Sequence, residues 1–517
     1  LKVITTTQSP EHDIMQISRS LNIPEDRIQL IYPDPGGAFG GKEEIHVQIL
    51  ASLLAVKTGR PVRMELSREE SNAATTRRHA FTFEIRIKVS PDMNIKALAI
   101  NAIGDAGAYL SHGPGVLEVA GSHAAGPYNI PNVKFDGMVV YTNYPPSGGM
   151  RGYGASEVNF ALERHIDRLC RVKGWDPVKF RLQNALMPGQ QSGTGLVPIS
   201  TITAYETIKE SSRSRLFSMK QSSSPFIKVG VGFAAGMKST SYGQGGDSAR
   251  VRLVLGRDGV RVMFTTPDMG TGIRFAISRI VSSALGIPEQ YVKVDNSNSA
   301  NPRSGTSNAS RVTFMIGNAV IKAAQNLKEN CMKLYGTADC LEAIRVAEVP
   351  VEADGMYSLP EVKGGNYKVS DFIFSFIAAV ARVEVDYMTG FVKVTDIDVF
   401  PEAGTIINPT GFISQIEGGT IMSLGYALYE NLGLSGGRVM GKNFTFYVLP
   451  TAREIPKISI HAIQSTDSVG PMGAKGVGEL AMQAVAPAIV NAIVDATGTE
   501  LNSIPVSREK IVNHLDD

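Results

Sequence analysis

Apolar residues recur along this chain with two different periods, and the periods divide it into elements. Phe81, Phe83, Ile85, Ile87 and Val89 are apolar at every second position, the spacing of a strand with one covered face. Ile14, Ile17 and Leu21, and later Val158, Leu162, Ile166 and Leu169, return at helical spacing. Ser9-Pro10 starts the first of these helices, with serine at the cap and proline in the first turn, and Asn22-Ile23-Pro24 stops it. The same reasoning predicts strands at residues 3–6, 27–32, 61–66, 95–102, 229–235, 249–255, 260–266, 381–387 and 392–400. Helices are expected at 44–56, from Ala155 onward, and at 479–496. Pro91-Asp92-Met93-Asn94, Gly256-Arg257-Asp258-Gly259 and Thr389-Gly390 supply turns between strands.

The order of elements repeats. Leu21-Asn22-Ile23-Pro24-Glu25 returns as Leu285-Gly286-Ile287-Pro288-Glu289, each copy preceded by a strand ending in Thr-Thr and a helix. After each copy come a strand, a loop of small residues and a long helix. The chain is therefore read as α+β, with two elongated mixed α/β lobes carrying an internal repeat. The serine-rich run 211–225 is the expected linker between a first lobe, 1–210, and a second, 226–517. At 517 residues, more than one core is expected.

Composition narrows the function mainly by exclusion. A net charge of +2 carries no nucleic-acid or membrane footprint, and no apolar run is expected to span a bilayer. Without a signal-peptide pattern the chain reads as cytoplasmic. Cys170, Cys331 and Cys340 are too few and scattered for an iron–sulfur site or a disulfide framework, and the eight histidines form no HxxxH or HxH pair. The opening Leu1-Lys2-Val3-Ile4, apolar and uncapped, reads as a fragment or one piece of a split subunit.

The 52 glycines gather at loops that precede helices. Gly36-Gly37-Ala38-Phe39-Gly40-Gly41-Lys42-Glu43 lies between a strand pattern and a helix pattern, the sequence form of an anion cradle. It approaches the nucleotide P-loop, but Glu43 stands where a hydroxyl should hold magnesium, and its charge would repel a triphosphate. Asp268-Met269-Gly270-Thr271-Gly272, the loop from Ser304 to Ser310 and Gly470 to Glu479 repeat the theme. Read singly, Glu479 is as well explained as a carboxylate at a helix start, and Arg151 as a surface arginine. Read together, these loops favour one large polyanionic ligand held from many sides.

With these residues in view the chain resembles the molybdenum-cofactor subunit of the xanthine dehydrogenase and aldehyde oxidase family. The resemblance rests on Thr7-Gln8-Ser9, Gly36 to Glu43, Arg151 to Gly154, Met269 to Gly272, Ser304 to Ser310, Gln415-Ile416-Glu417-Gly418 and Gly476 to Glu479. It implies molybdenum on molybdopterin, or its cytosine dinucleotide form, bound between the lobes with no direct protein ligand. Gln8 would then hydrogen-bond the metal's apical oxo group, with Gly37, Phe39, Gly40 and Arg151 beside the metal and pterin. Met269, Gly270, Thr271, Ser304, Thr306, Ser307, Ser310 and Gln415 would grip the pterin and its tail. Glu479 would be the catalytic base, expected among neutral glycines, and Glu43 and Tyr153 would face the substrate.

The implied reaction is hydroxylation of an electron-poor sp² carbon with oxygen from water. Electrons would pass to [2Fe-2S] and FAD groups on partner chains, in a dimer of the complex, with a further chain supplying any missing N-terminal part. Departures bear on the substrate. Val119 stands where purine hydroxylases place an arginine, and residues 239–242 replace an aromatic platform. An aromatic N-heterocycle, purine- or nicotinate-like, is the expected substrate. An aldehyde, or a non-catalytic cofactor-binding subunit completed by another chain, is the alternative.

Overall fold

The computed structural model of the chain describes residues 1–222, 224–242, 247–360 and 373–512. The repeat is a physical one. Lys2–Ile4 pairs in parallel with Gln29–Ile31, and the helix Pro10–Leu21 connects them. Gly259–Met263 pairs in parallel with Val292–Asp295 through the helix Ile273–Leu285. Asn22 and Gly286 close the two helices in the left-handed region, and Pro24 and Pro288 each start a 3₁₀ turn. The copies meet edge to edge through an antiparallel bridge between Ile31 and Asn298, with Tyr32 N–H donating to Ser297 O at 3.1 Å. The loop that follows each copy is thereby brought to one place.

Two further sheets, of three and four strands, build the walls, and the sheet of the second copy widens to four strands. Phe81–Val89, Ile95–Gly107 and Val133–Tyr141 form a three-stranded sheet. Val351–Ser358 extends the second repeat copy through Ser248–Gly256. Ile227–Ser239, Phe374–Asp386, Phe391–Glu402 and Lys457–Ile460 form the fourth sheet. The helix Val485–Thr497 lies on this sheet so closely that a Cβ at Gly232 would stand 2.2 Å from Ala488 O. Phe233 and Met237 of the fourth sheet share one core with Leu162, Ile166 and Phe180, so side chains from both expected lobes pack together.

Several expectations change. Residues 61–66 form no strand, and Met64 is 37% exposed: alternation makes a strand only where one face has something to cover it. The helix expected at 44–56 starts only at Gln48. The helix expected at 479–496 is a 3₁₀ turn, Leu480–Met482, followed by Val485–Thr497. Leu480–Thr497 is apolar enough to cross a membrane by composition, with mean hydropathy 1.4, but 83% of it is buried inside the protein. Within 211–225, of which residue 223 lies outside the described residues, Arg215–Ser218 is a 3₁₀ turn whose Leu216 is buried in the core.

Candidate functional site

The converging loops enclose a cavity of about 620 Å³, within the range of small-molecule and cofactor sites. Gln8, Phe39, Gly40, Glu43, Arg151, Tyr153, Met269, Gly270, Thr271, Ser307, Ser310, Gln415 and Glu479 all line it. Elements as far apart in the chain as Gln8 and Glu479 therefore share one wall. Gly37, Ser304 and Thr306 are set back from it. Ser304 is fully buried, donating to Arg250 O and Pro302 O, and Thr306 is tied to Asn308 and Tyr242, so they brace the loop rather than face the cavity.

The glycine loop at 36–43 is not the helix-start cradle its pattern suggested. The N–H groups of its second half are already committed. Gly40 and Lys42 donate to Gln8 Oε1 at 2.9 and 3.3 Å, Gly41 to Ala38 O and Glu43 to Gly40 O. Gln8 in turn donates from Nε2 to Ser307 O at 2.7 Å, so one buried amide ties both repeat loops and keeps a second N–H for the cavity. Gly40 has φ of +106°, and a Cβ there would lie 2.5 Å from the carbonyl of Gly149. Only glycine lets these two loops touch.

Backbone strain gathers here. Of the nine non-glycine residues with positive φ among the described residues, five line the cavity: Phe39, Tyr153, Ser241, Ala309 and Ser310. Each costs about 1–3 kcal/mol and persists only where surrounding structure holds it.

Arg151 is a strut rather than an anion receptor. Its Nε donates to Gly478 O at 2.6 Å and its Nη2 to Gln415 O at 2.9 Å, while the guanidinium lies over the Phe39 ring. Burial lowers its pKa to about 10, partly offset by the charge of Glu479, so it stays cationic at neutral pH.

Among the described residues, Glu43, Glu118 and Glu479 are the carboxyl side chains that line the cavity, and Glu43 is the one that burial perturbs. Glu43 is 7% exposed and its pKa is raised to about 8. Burial is the main cause, a hydrogen bond with Asn308 opposes it, and the charges of Glu479 and Glu44 add to it. At neutral pH Glu43 is a carboxylic acid able to donate a hydrogen bond. His112 Nδ1 lies 3.7 Å from it, but burial also pushes His112 toward its neutral form, so the contact is not an ion pair. His112 instead meets the Tyr153 hydroxyl at 2.7 Å.

Glu479 accepts from Gly152 N–H at 3.2 Å and from Ser310 Oγ at 3.4 Å, and its Oε2 forms an ion pair with Lys238 Nζ at 3.3 Å. The neutral glycine surroundings expected for it therefore contain a buried ammonium. Lys238 and Asn308 are the residues that motif reading missed. Lys238 had a visible signal: it is the one ionisable residue after a stretch, 229–237, of apolar and small residues.

The cavity suits the implied cofactor on its own chemistry. Among the described residues no group of three His, Cys, Asp or Glu side chains could hold a metal, so a metal here would be carried by its own ligand. A Cβ at Gly270 would meet nothing within 4 Å, which leaves bare backbone open to a bulky group. The N–H groups of Gly270, Thr271 and Gly272 are held by Asp268, so this loop is shaped before any ligand arrives.

Comparison with known proteins agrees with this geometry. Two molybdopterin cofactor-binding domain families match the chain, over residues 1–185 and 204–456. A probable xanthine dehydrogenase subunit of Bacillus subtilis (strain 168) is 33% identical over 540 residues, covering 99% of this chain and 72% of that protein. The solved aldehyde oxidoreductase from Desulfovibrio desulfuricans matches with a TM-score of 0.92 at 25% identity, covering 99% of this chain. The chain spans 57% of that protein's length. Quinoline 2-oxidoreductase from Pseudomonas putida 86 has the same fold, with a TM-score of 0.90 at 24% identity, covering 100% of this chain and 72% of its own.

Proposed function

The chain belongs to the molybdopterin-binding subunits of the xanthine dehydrogenase and aldehyde oxidoreductase family, and from that premise we propose that it hydroxylates an electron-poor sp² carbon of an aromatic N-heterocycle. The observation that carries the reading is that Glu43, held neutral by burial, and Glu479 line the same cavity. Glu43 is set to be protonated, and Glu479 is held by Gly152, Ser310 and Lys238.

The cofactor would rest against Gln8, Phe39, Gly40 and the loops at Met269–Thr271 and Ser307–Ser310, and when bound it supplies the redox centre and the oxygen that is transferred. Everything else falls to the chain. Gln8 presents its remaining amide N–H. Arg151 locks the segment that carries Glu479 to the helix Pro409–Leu428 through Gly478 O and Gln415 O. Glu479 takes up the proton released as the oxygen becomes nucleophilic. Glu43 donates to a ring nitrogen or carbonyl of the heterocycle and so draws electron density from the reacting carbon. A neutral acid suits this task, since a carboxylate in that place could only accept. The electrons leave through iron–sulfur and FAD groups on partner chains.

The test is a metal and pterin assay on the intact complex followed by a substrate screen of purines, pyridine carboxylates and aldehydes. The reading expects stoichiometric molybdenum, pterin on extraction, and turnover of a heterocycle at higher kcat/KM than any aldehyde. An aldehyde preference would replace the substrate assignment, and absence of turnover with full cofactor would leave a cofactor-binding subunit.

A further inference from the structure

Three lysine or arginine side chains among the described residues line the cavity, and one of them keeps an N–H beside the base. Lys475 Nζ donates to Thr201 O, Phe374 O and Glu402 Oε2 at 3.0, 2.8 and 2.7 Å, which uses all three of its N–H groups. Arg151 is fixed in place by Nε and Nη2 on the carbonyls of Gly478 and Gln415, with its guanidinium over the Phe39 ring. Lys238 differs. It is 3% exposed, at the end of the strand Ile227–Ser239, and its Nζ meets Ser239 Oγ at 3.2 Å and Glu479 Oε2 at 3.3 Å. That leaves a third N–H in the cavity, beside the base.

The charge balance around Lys238 changes during a turnover. While Glu479 is ionised, the two charges compensate each other. Once Glu479 takes a proton, the ammonium is a buried cation without a counter-ion, a state that favours any anion the cavity can bring beside it. Glu43, the other buried carboxyl on the cavity, is set to be protonated and cannot serve.

We propose that Lys238 is a specificity-determining residue: its ammonium binds an anionic oxygen of the heteroaromatic substrate and selects anionic over neutral heterocycles. The inference rests on the heterocycle reading above and deepens it. The shared chemistry is a delocalised oxyanion, which a ring carboxylate or a deprotonated ring lactam could supply. Because the anion replaces Glu479 as counter-ion when the base becomes neutral, the interaction strengthens toward the transition state and acts on kcat/KM.

The experiment compares Lys238→Met, Lys238→Arg and the unaltered chain, each in the intact complex with its cofactor content measured. The substrates are pyridine-3-carboxylate, a 2-oxopurine, and the neutral pyridine-3-carboxamide and unsubstituted purine. Lys238→Met should lower kcat/KM for the anionic member of a pair by about 10–100-fold more than for its neutral counterpart, the loss expected for one charge-assisted hydrogen bond. Lys238→Arg should restore most of it. Which pair shows the effect decides between carboxylate and lactam anion.

Direct binding supplies a second measurement. In Glu479→Gln, calorimetry should find the anionic probe bound more tightly than the neutral one, and adding Lys238→Met should erase the difference. An equal fall for anionic and neutral substrates, with no difference in calorimetry, would make Lys238 only the counter-ion of Glu479 and overturn the proposal. If the unaltered complex turns over aldehydes and no heterocycle, the substrate reading fails. Calorimetry with pyridine-3-carboxylate against the carboxamide would then still decide whether Lys238 selects anions.

Discussion

Replacing Glu43 with glutamine tests whether the cavity holds a protonated carboxylic acid. The side chain is almost fully buried, and its pKa is raised from 4.5 to about 8, chiefly by burial. Keeping a carboxyl protonated at pH 7 when it would ionise near 4.5 in the unfolded chain costs about 3 kcal/mol, at 1.36 kcal/mol per pH unit. The folded chain holds a proton that the unfolded chain has released, so stability falls as pH rises from 4.5 to 8 and levels off above. Glutamine is neutral throughout and escapes this loss. Any fixed difference between acid and amide at Asn308 cancels between pH values. The advantage of Glu43→Gln should therefore grow from a baseline near pH 4.5 by about 3 kcal/mol at pH 7. The measurement is the opening free energy from amide hydrogen exchange of peptides covering residues 36–47, which reports this region without requiring global two-state unfolding. An advantage that stays flat from pH 5 to pH 8 would mean that Glu43 is ionised in the folded protein, and the hydrogen-bond donor assigned to it would be gone.

Other expectations follow from the same geometry. Glu479→Gln should reduce turnover by about 10²–10⁴-fold while leaving molybdenum per chain unchanged; retained activity would mean another group is the base. Gly40→Ala places a Cβ 2.5 Å from the Gly149 carbonyl at φ +106°, so molybdenum content should fall, whereas Gly41→Ala, which meets Ala38 O at 3.4 Å, should retain it. Equal metal content in the two would show that the contact between the loops is not needed. Arg151→Ala strips the donors from Gly478 O and Gln415 O and should cost about 2–5 kcal/mol, read as faster proteolysis near residues 476–479. Asp13, fully buried with its pKa raised to about 7 by burial, should make Asp13→Asn progressively more stable than the parent as pH rises from 4 to 7 in a thermal shift series.

What could be read from the chain in order was whatever depends on neighbours in sequence. The alternation in Phe81–Val89, the cap at Asn22 and the echo of residues 21–25 in 285–289 are local patterns, and the structure realises each of them. The motif stretches also come together around one cavity, because glycine clusters mark places where backbone must pass close to something. Local reading failed where a distant partner decides. Residues 61–66 alternate but have no sheet to join among the described residues, and two donors of the 36–43 loop, Gly40 and Lys42, are taken by Gln8, an amide some thirty residues upstream. Arg151 looked free in the sequence because the carbonyls it serves, on Gln415 and Gly478, lie in segments hundreds of residues away.

The sequence by itself determined most of the element types, the repeat and the family resemblance, and it singled out Glu43 and Glu479. Tertiary structure alone decided the protonation of Glu43 and the partners of both. Burial in a particular wall sets Glu43 to stay neutral, and the end of a strand far from Glu479 in sequence brings Lys238 to 3.3 Å from it. Propensity and periodicity are carried by adjacent residues, whereas desolvation and charge pairing depend on distances through space, and those exist only once the chain has folded.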